Sequence, residues 1–174
     1  MKNTDKEETK PEVWLRGPVP GIPALLQPSA HALLQVREDI YRYTRDLPQT
    51  ALWTKPVGRA SVGFHLQHLT GVLDRMLTYA KANELSESQF EFLQKEGVFN
   101  SEITLERLLK AFELKSEEAL EFFKTLPENM LTETRTVGRK KLPSTVAGLL
   151  FHAAEHAQRH VGQLLVTTSI LKDR

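Results

Sequence analysis

The chain has no cysteine. Disulfides, thiolate metal ligands and a cysteine nucleophile are therefore excluded. It has almost no net charge, +1 at neutral pH, so bulk charge gives no reason to expect nucleic acid or an anionic membrane as partner. It lacks any apolar run near the ~18 residues a membrane span needs. The first residues, MKNTDKEETKPE, are charged and have no apolar core, unlike a secretory signal. These absences lead to the expectation of a cytoplasmic protein with neither membrane nor nucleic acid among its partners.

What is present is ordinary for one globular domain. The 174 residues are 40% hydrophobic and 26% charged, enough to bury a core. Residues 1–28 read as a separate segment: a disordered polar tail, then a proline-rich stretch, VWLRGPVPGIPALLQPSA, expected as a non-helical arm strapped down by Trp14 and Leu15.

Residues 29–174 carry four helical patterns. The first spans Ser29 to Asp46, with Leu33, Leu34, Val36, Ile40 and Tyr43 on its apolar stripe, and Leu47-Pro48 ends it. The second opens at an N-cap, Ser61, and carries Phe64, Leu66, Leu69, Val72, Leu73, Met76 and Leu77. The third starts at Thr104, with Leu108, Leu109, Phe112, Leu120 and Phe123 facing inward. The fourth starts at Ser144, after Pro143, and runs toward Thr168. The segment ELSESQFEFLQKEGVFNS between the second and third patterns reads as a long crossover holding one short helix, and Glu133–Leu142 as a short extended piece. The pattern is that of an all-α, four-helix bundle.

The chemistry gathers in FHAAEHAQRHVGQL, where His152, His156 and His160 each stand four residues from the next. Residues four apart on a helix lie ~6 Å apart along the axis and can share one ion, whereas eight apart means ~12 Å, too far for two imidazoles. At most an adjacent pair of the three binds one metal. The second helix offers the missing ligand in GFHLQH, through His65 or His68. An echo supports pairing these two helices: PVGRASVGFHLQH and TVGRKKLPSTVAGLLFHAAEH both run from Val-Gly-Arg through a serine to a Phe-His pair. Three neutral imidazoles leave a coordination position open for water or substrate, the catalytic rather than the structural pattern.

Blander roles suit the other candidates. His31 stands alone and reads as a hydrogen-bonded residue. Glu155 sits inside HAAEH, the H-x-x-E-H pattern of inverted zinc proteases, but Asp173 is the single acidic residue downstream. An i,i+4 salt bridge from Glu155 to Arg159 is the expectation. GRKK, residues 138–141, reads as a solvated basic loop that would meet an anionic ligand only if it overhung the bundle mouth.

HLQHL on the second helix and HAAEHAQRHVGQL on the fourth resemble the DinB-like (DinB/YfiT) superfamily, whose helix-four signature typically reads His-Arg-Gly-Gln; Val161 stands here for the arginine. The resemblance covers about residues 29 to 168. It implies an up-up-down-down four-helix bundle, often a homodimer, with a divalent metal such as zinc or nickel. Carried onto this chain, the ligands it implies are His68, His156 and His160, with His152 left as packing or support. It further implies a metal-dependent enzyme acting on a small-molecule substrate, most plausibly a thiol S-transferase that activates a low-molecular-weight thiol. The alternatives are a hydrolase using metal-activated water and a non-catalytic metal- or ligand-binding bundle. No side chain is assigned as general base.

Overall fold

The computed structural model describes residues 10–172. Most of the tail read as disordered, residues 1–9, lies outside the described residues, as does Asp173. Five α-helices occur among the described residues: α1 (Gln27–Thr44), α2 (Val62–Ala80), α3 (Glu87–Lys95), α4 (Leu105–Lys124) and α5 (Val146–Lys172). The all-α reading holds. α1, α2, α4 and α5 form the bundle, and α3 is the short helix of the crossover.

The capping residues act as the sequence indicates. The Ser61 hydroxyl accepts from the Phe64 amide at 3.2 Å, and the Thr104 hydroxyl from the Arg107 amide at 3.2 Å. A capping box of Ser86 and Gln89 starts α3. Two helix starts differ from expectation. α1 begins at Gln27 because Pro28 suits a first turn, where its missing N–H costs nothing. α5 begins at Val146, not Ser144. Ser144 and Pro143 belong to a strand, β2 (Leu142–Thr145), which pairs antiparallel with β1 (Thr134–Val137). The Thr145 hydroxyl, not that of Ser144, accepts from the first turn of α5, at Gly148. The extended piece expected at 133–142 is thus one arm and the turn of a hairpin.

The arm is not wholly non-helical, since single 3₁₀ turns form at Val13–Arg16 and Ala24–Leu26. Nor do Trp14 and Leu15 strap it down; they are 61% and 57% exposed. Val13, Ile22 and Leu26 are the buried residues. Side chains on α1 hold the backbone between them: Gln35 accepts from the Val13 amide, and Gln27 donates to the carbonyls of Val19 and Ile22.

Residue pairs between helices fix the directions. Arg37 meets Glu117 and Tyr41 meets Glu113, so α4 runs against α1. Lys115 pairs with Asp74 and Glu118 with Lys81, so α4 runs along α2. His65 meets His160 and His68 meets His156, so α5 runs against α2. The order is therefore up-down-down-up rather than up-up-down-down. The crossover makes this possible by returning the chain to the start of α2, where the Gln67 side chain accepts from the Gly97 amide. The core between the helices is filled by Leu33, Val36 and Ile40, by Leu66, Leu69 and Leu73, by Phe112 and Phe123, and by Leu150 and Leu164. No helix among the described residues is long and apolar enough to cross a membrane.

Candidate metal centre

The histidines stand where α2 and α5 cross. His65 and His68 lie in the first two turns of α2, and His156 and His160 near the middle of α5. Alanines at 153, 154 and 157 are buried in the same stretch of α5, Ala154 on the side toward Ser29 and Ala32 of α1. His68, His156 and His160 each present a ring nitrogen, all within 4.8 Å of one another. Their ring centroids are 4.4 Å apart for His68–His160, 4.7 Å for His156–His160 and 5.2 Å for His68–His156.

Hydrogen bonds set the tautomers. His68 Nδ1 lies 2.6 Å from Glu96 Oε2, and a carboxylate only accepts, so Nδ1 carries the proton and the Nε2 lone pair points away. That Nε2 is 3.0 Å from His156 Nε2. Arg159 donates to His156 Nδ1 at 2.9 Å and to Glu155 at 2.9 Å. The expected Glu155–Arg159 pair is therefore present and reaches one step further, to a candidate ligand. His160 Nδ1 is 3.1 Å from His65 Nδ1.

Three of the imidazoles, those of His65, His156 and His160, are held toward the neutral form. Burial pushes His65 down to about 4, with the nearby His68 ring adding to it. His160 is pushed down to about 3, chiefly by burial and then by His68, His156 and His65. His156 is lowered too, by burial and then by His68 and Arg159. Neutral imidazole is the form that donates a lone pair to a cation.

Glu96 and Arg75 are the residues that sequence reasoning missed. Burial alone would raise the Glu96 carboxyl, but its bonds to His68 and Arg75 outweigh this and hold it below the usual range. Arg75 Nη1 lies 2.7 Å from Glu96 Oε1, with side-chain exposures of 9% and 4%. Gly71 gives this pair its room: a Cβ there would run into the Glu96 carboxylate and lie 2.7 Å from Arg75 Nη1. A glycine in mid-helix, four residues before a buried arginine, was the available signal.

His65 is 2% exposed and bonds His160, so it supports the cluster from inside the core. His152 stands outside it. It bonds Glu155 at 2.8 Å, and with Glu155 and His156 forms a second, more open trio of potential donors. His31 bonds the Gly17 carbonyl at 3.0 Å and ties the arm to α1. GRKK turns the hairpin at the opposite end of α2, where Arg135 bonds the Ala80 carbonyl. Twelve helical residues separate His68 from Ala80, ~18 Å, so the turn does not overhang the histidines.

A sequence profile described as the DinB superfamily matches residues 32–164. The chain belongs to the DinB superfamily. No curated protein matches it. Among solved structures it is similar to one described as a conserved protein of locus from Enterococcus faecalis, with 15% sequence identity, 86% of this chain and 98% of that chain covered, and a TM-score of 0.66. At that identity the likeness speaks for the fold alone. His68, His156 and His160 all fall inside the matched span.

Proposed function

We propose that this DinB-superfamily protein binds a divalent cation, zinc or nickel, through His68, His156 and His160, and uses it as a thiol S-transferase. The observation that carries the reading is the donor set: ring nitrogens of three histidines from two helices within 4.8 Å, one ring oriented by a buried carboxylate. Carboxylate–histidine pairs of this kind orient metal ligands and raise their basicity. When bound, the ion supplies Lewis acidity that acidifies a coordinated thiol, or a coordinated water in the hydrolase alternative.

The chain's own part follows from its geometry. Glu96 keeps the His68 proton on Nδ1 and leaves Nε2 available. His65 braces His160 from the core, and Phe64, stacked on His68 at 5.2 Å, shields it from solvent. In the transfer itself the thiol releases its proton to solvent, sulfur forms the new bond to carbon as the bond from that carbon to the leaving group breaks, and the leaving group departs with that electron pair. The protein has no cysteine, so the sulfur arrives with the co-substrate. The proposal includes a small-molecule substrate and a homodimer, the latter checked by light scattering.

Metal analysis of the purified protein beside a His156→Ala/His160→Ala variant tests the centre. We expect near-stoichiometric metal in the first and a trace in the second; equal traces in both would leave the histidines structural. A panel of low-molecular-weight thiols with a generic electrophile then tests the reaction. Metal-dependent ester or amide cleavage without thiol would replace the transferase by the hydrolase. Metal retained with no turnover of either kind would leave a binding protein.

A further inference from the structure

A second feature opens beside the cluster. Lys55, Arg59, Phe64 and Glu96 line a cavity of about 270 Å³ that also borders Gly58 and Gly97. Two of these side chains touch the candidate metal centre directly. Phe64 stacks on His68 and lies 6.2 Å from the His160 ring, and Glu96 accepts from His68.

The charge in this cavity is unbalanced. Among the described residues neither Lys55 nor Arg59 makes an ion pair or a side-chain hydrogen bond, whereas Arg37 and Arg42 of α1 and Lys110, Lys115 and Lys124 of α4 all do. Glu96 is the one carboxylate lining the cavity, and both its oxygens are engaged, by His68 and Arg75. Two residues with unpaired cations therefore line a cavity whose carboxylate is already engaged.

The loop that presents them is strained. Val57 adopts φ 50° and ψ 35°, a left-handed conformation that a β-branched side chain resists. Its side chain is 81% exposed, so no packing repays that cost. Strain without a packing reason is characteristic of segments shaped for a ligand. Here it closes the turn in which the Arg59 amide bonds the Pro56 carbonyl, between the two cations.

We propose that this cavity is a subsite for the oxyanion of a small acidic co-substrate, held by Lys55 and Arg59 with its carbon chain along Phe64. The inference deepens the transferase reading by naming an anionic thiol or acceptor as the preferred class. It rests on that reading only for what the bound molecule reacts with, since holding the oxyanion itself requires no metal.

Calorimetric titration of the full chain, zinc-loaded and metal-stripped, with malonate and with inorganic phosphate tests the subsite. A Lys55→Gln/Arg59→Gln variant should bind roughly tenfold more weakly than the native protein, as expected for losing two exposed charge pairs. A Lys140→Gln/Lys141→Gln variant, with the same change in net charge, should bind as the native protein does. The stronger of the two probes identifies carboxylate or phosphate as the group recognised. No binding by the native protein, equal binding by the Lys55/Arg59 variant, or equal loss in the control would overturn the proposal.

A second measurement reads the link to the metal. In cobalt-substituted protein, the thiolate charge-transfer band should appear at lower 3-mercaptopropionate than 2-mercaptoethanol concentration, and the variant should lose that preference. Equal affinities in the native protein would overturn the link. No band with either thiol would sink the transferase reading, while the oxyanion titration would still decide the subsite.

Discussion

Replacing Glu96 by glutamine isolates the contribution of the buried carboxylate. The amide oxygen can still accept from His68 Nδ1, now 2.6 Å from a carboxylate oxygen, so the ring keeps its place. What disappears is the negative charge behind the ligand. Losing such a partner costs about 10- to 100-fold in metal affinity, or ~1.4–2.8 kcal/mol. A second effect acts on folding, because Arg75 is 7% exposed and loses its ion-pair partner. Breaking one side of a buried pair costs ~3–5 kcal/mol, and glutamine does not soften it, because its one oxygen serves His68 and its NH2 group meets the Arg75 guanidinium donor to donor. Competition with a chromophoric chelator gives the zinc affinity, and urea unfolding of the metal-free protein gives the stability. Measured separately, the two losses cannot be mistaken for each other. Unchanged zinc affinity in a folded Glu96→Gln protein would refute the reasoning, because it would mean that His68 is not a ligand or owes nothing to the carboxylate. A His152→Ala variant should match the native affinity, since that ring is bonded to Glu155 outside the cluster.

The metal-free protein should lose stability on acidification. His65 falls to about 4 when folded against 6.5 unfolded, so the unfolded chain binds more protons between these values. Its contribution is full above pH 6.5 and is lost toward pH 4, roughly 3 kcal/mol in all; urea melts across that range should show the slope, and His65→Gln should reduce it, leaving the part that the lowered His160 and His156 contribute. Gly71→Ala gains up to ~1 kcal/mol of helix propensity but forces Glu96, Arg75 and Phe92 apart, for a net loss of ~1–2 kcal/mol. That variant should also bind zinc more weakly, and a native-like affinity would show that the carboxylate can shift without cost. Phe112 is fully buried between α4 and its neighbours, and Phe112→Ala should cost ~3–5 kcal/mol in thermal or urea unfolding with little effect on the metal site.

The helices were legible because each stripe and cap is local. Ser61 and Thr104 cap where their side chains can reach the third amide beyond them, and Leu108, Leu109, Phe112, Leu120 and Phe123 are all buried as their spacing requires. The start of α5 was misplaced because Pro143 and Ser144 satisfy a helix start and a strand end equally well. Pairing with Thr136 and Arg135 decided for the strand, and no local pattern reveals such a partner. The arm failed in the same way. Trp14 is its largest apolar residue, but the 3₁₀ turn at Val13–Arg16 leaves Trp14 and Leu15 exposed and directs Val13 inward instead.

The candidate ligands were legible although the helix order was not, and one geometric fact explains both. In an up-up-down-down bundle and in the observed up-down-down-up bundle alike, the second and last long helices run antiparallel. Moving outward by one turn on α2 therefore moves inward by one turn on α5, so His68 meets His156 and His65 meets His160. His152 lies one turn further still along α5, where α2 offers no histidine. The crossover decides the rest. Because it returns to the start of α2 before α4 begins, it carries Glu96 to His68 and Gly97 against Phe64. A short loop giving the other order would have left His68 without its carboxylate. The long connection is thus the part of the chain that turns a pair of histidine stripes into an oriented donor set, and its contribution could be seen only once the direction of α4 was known.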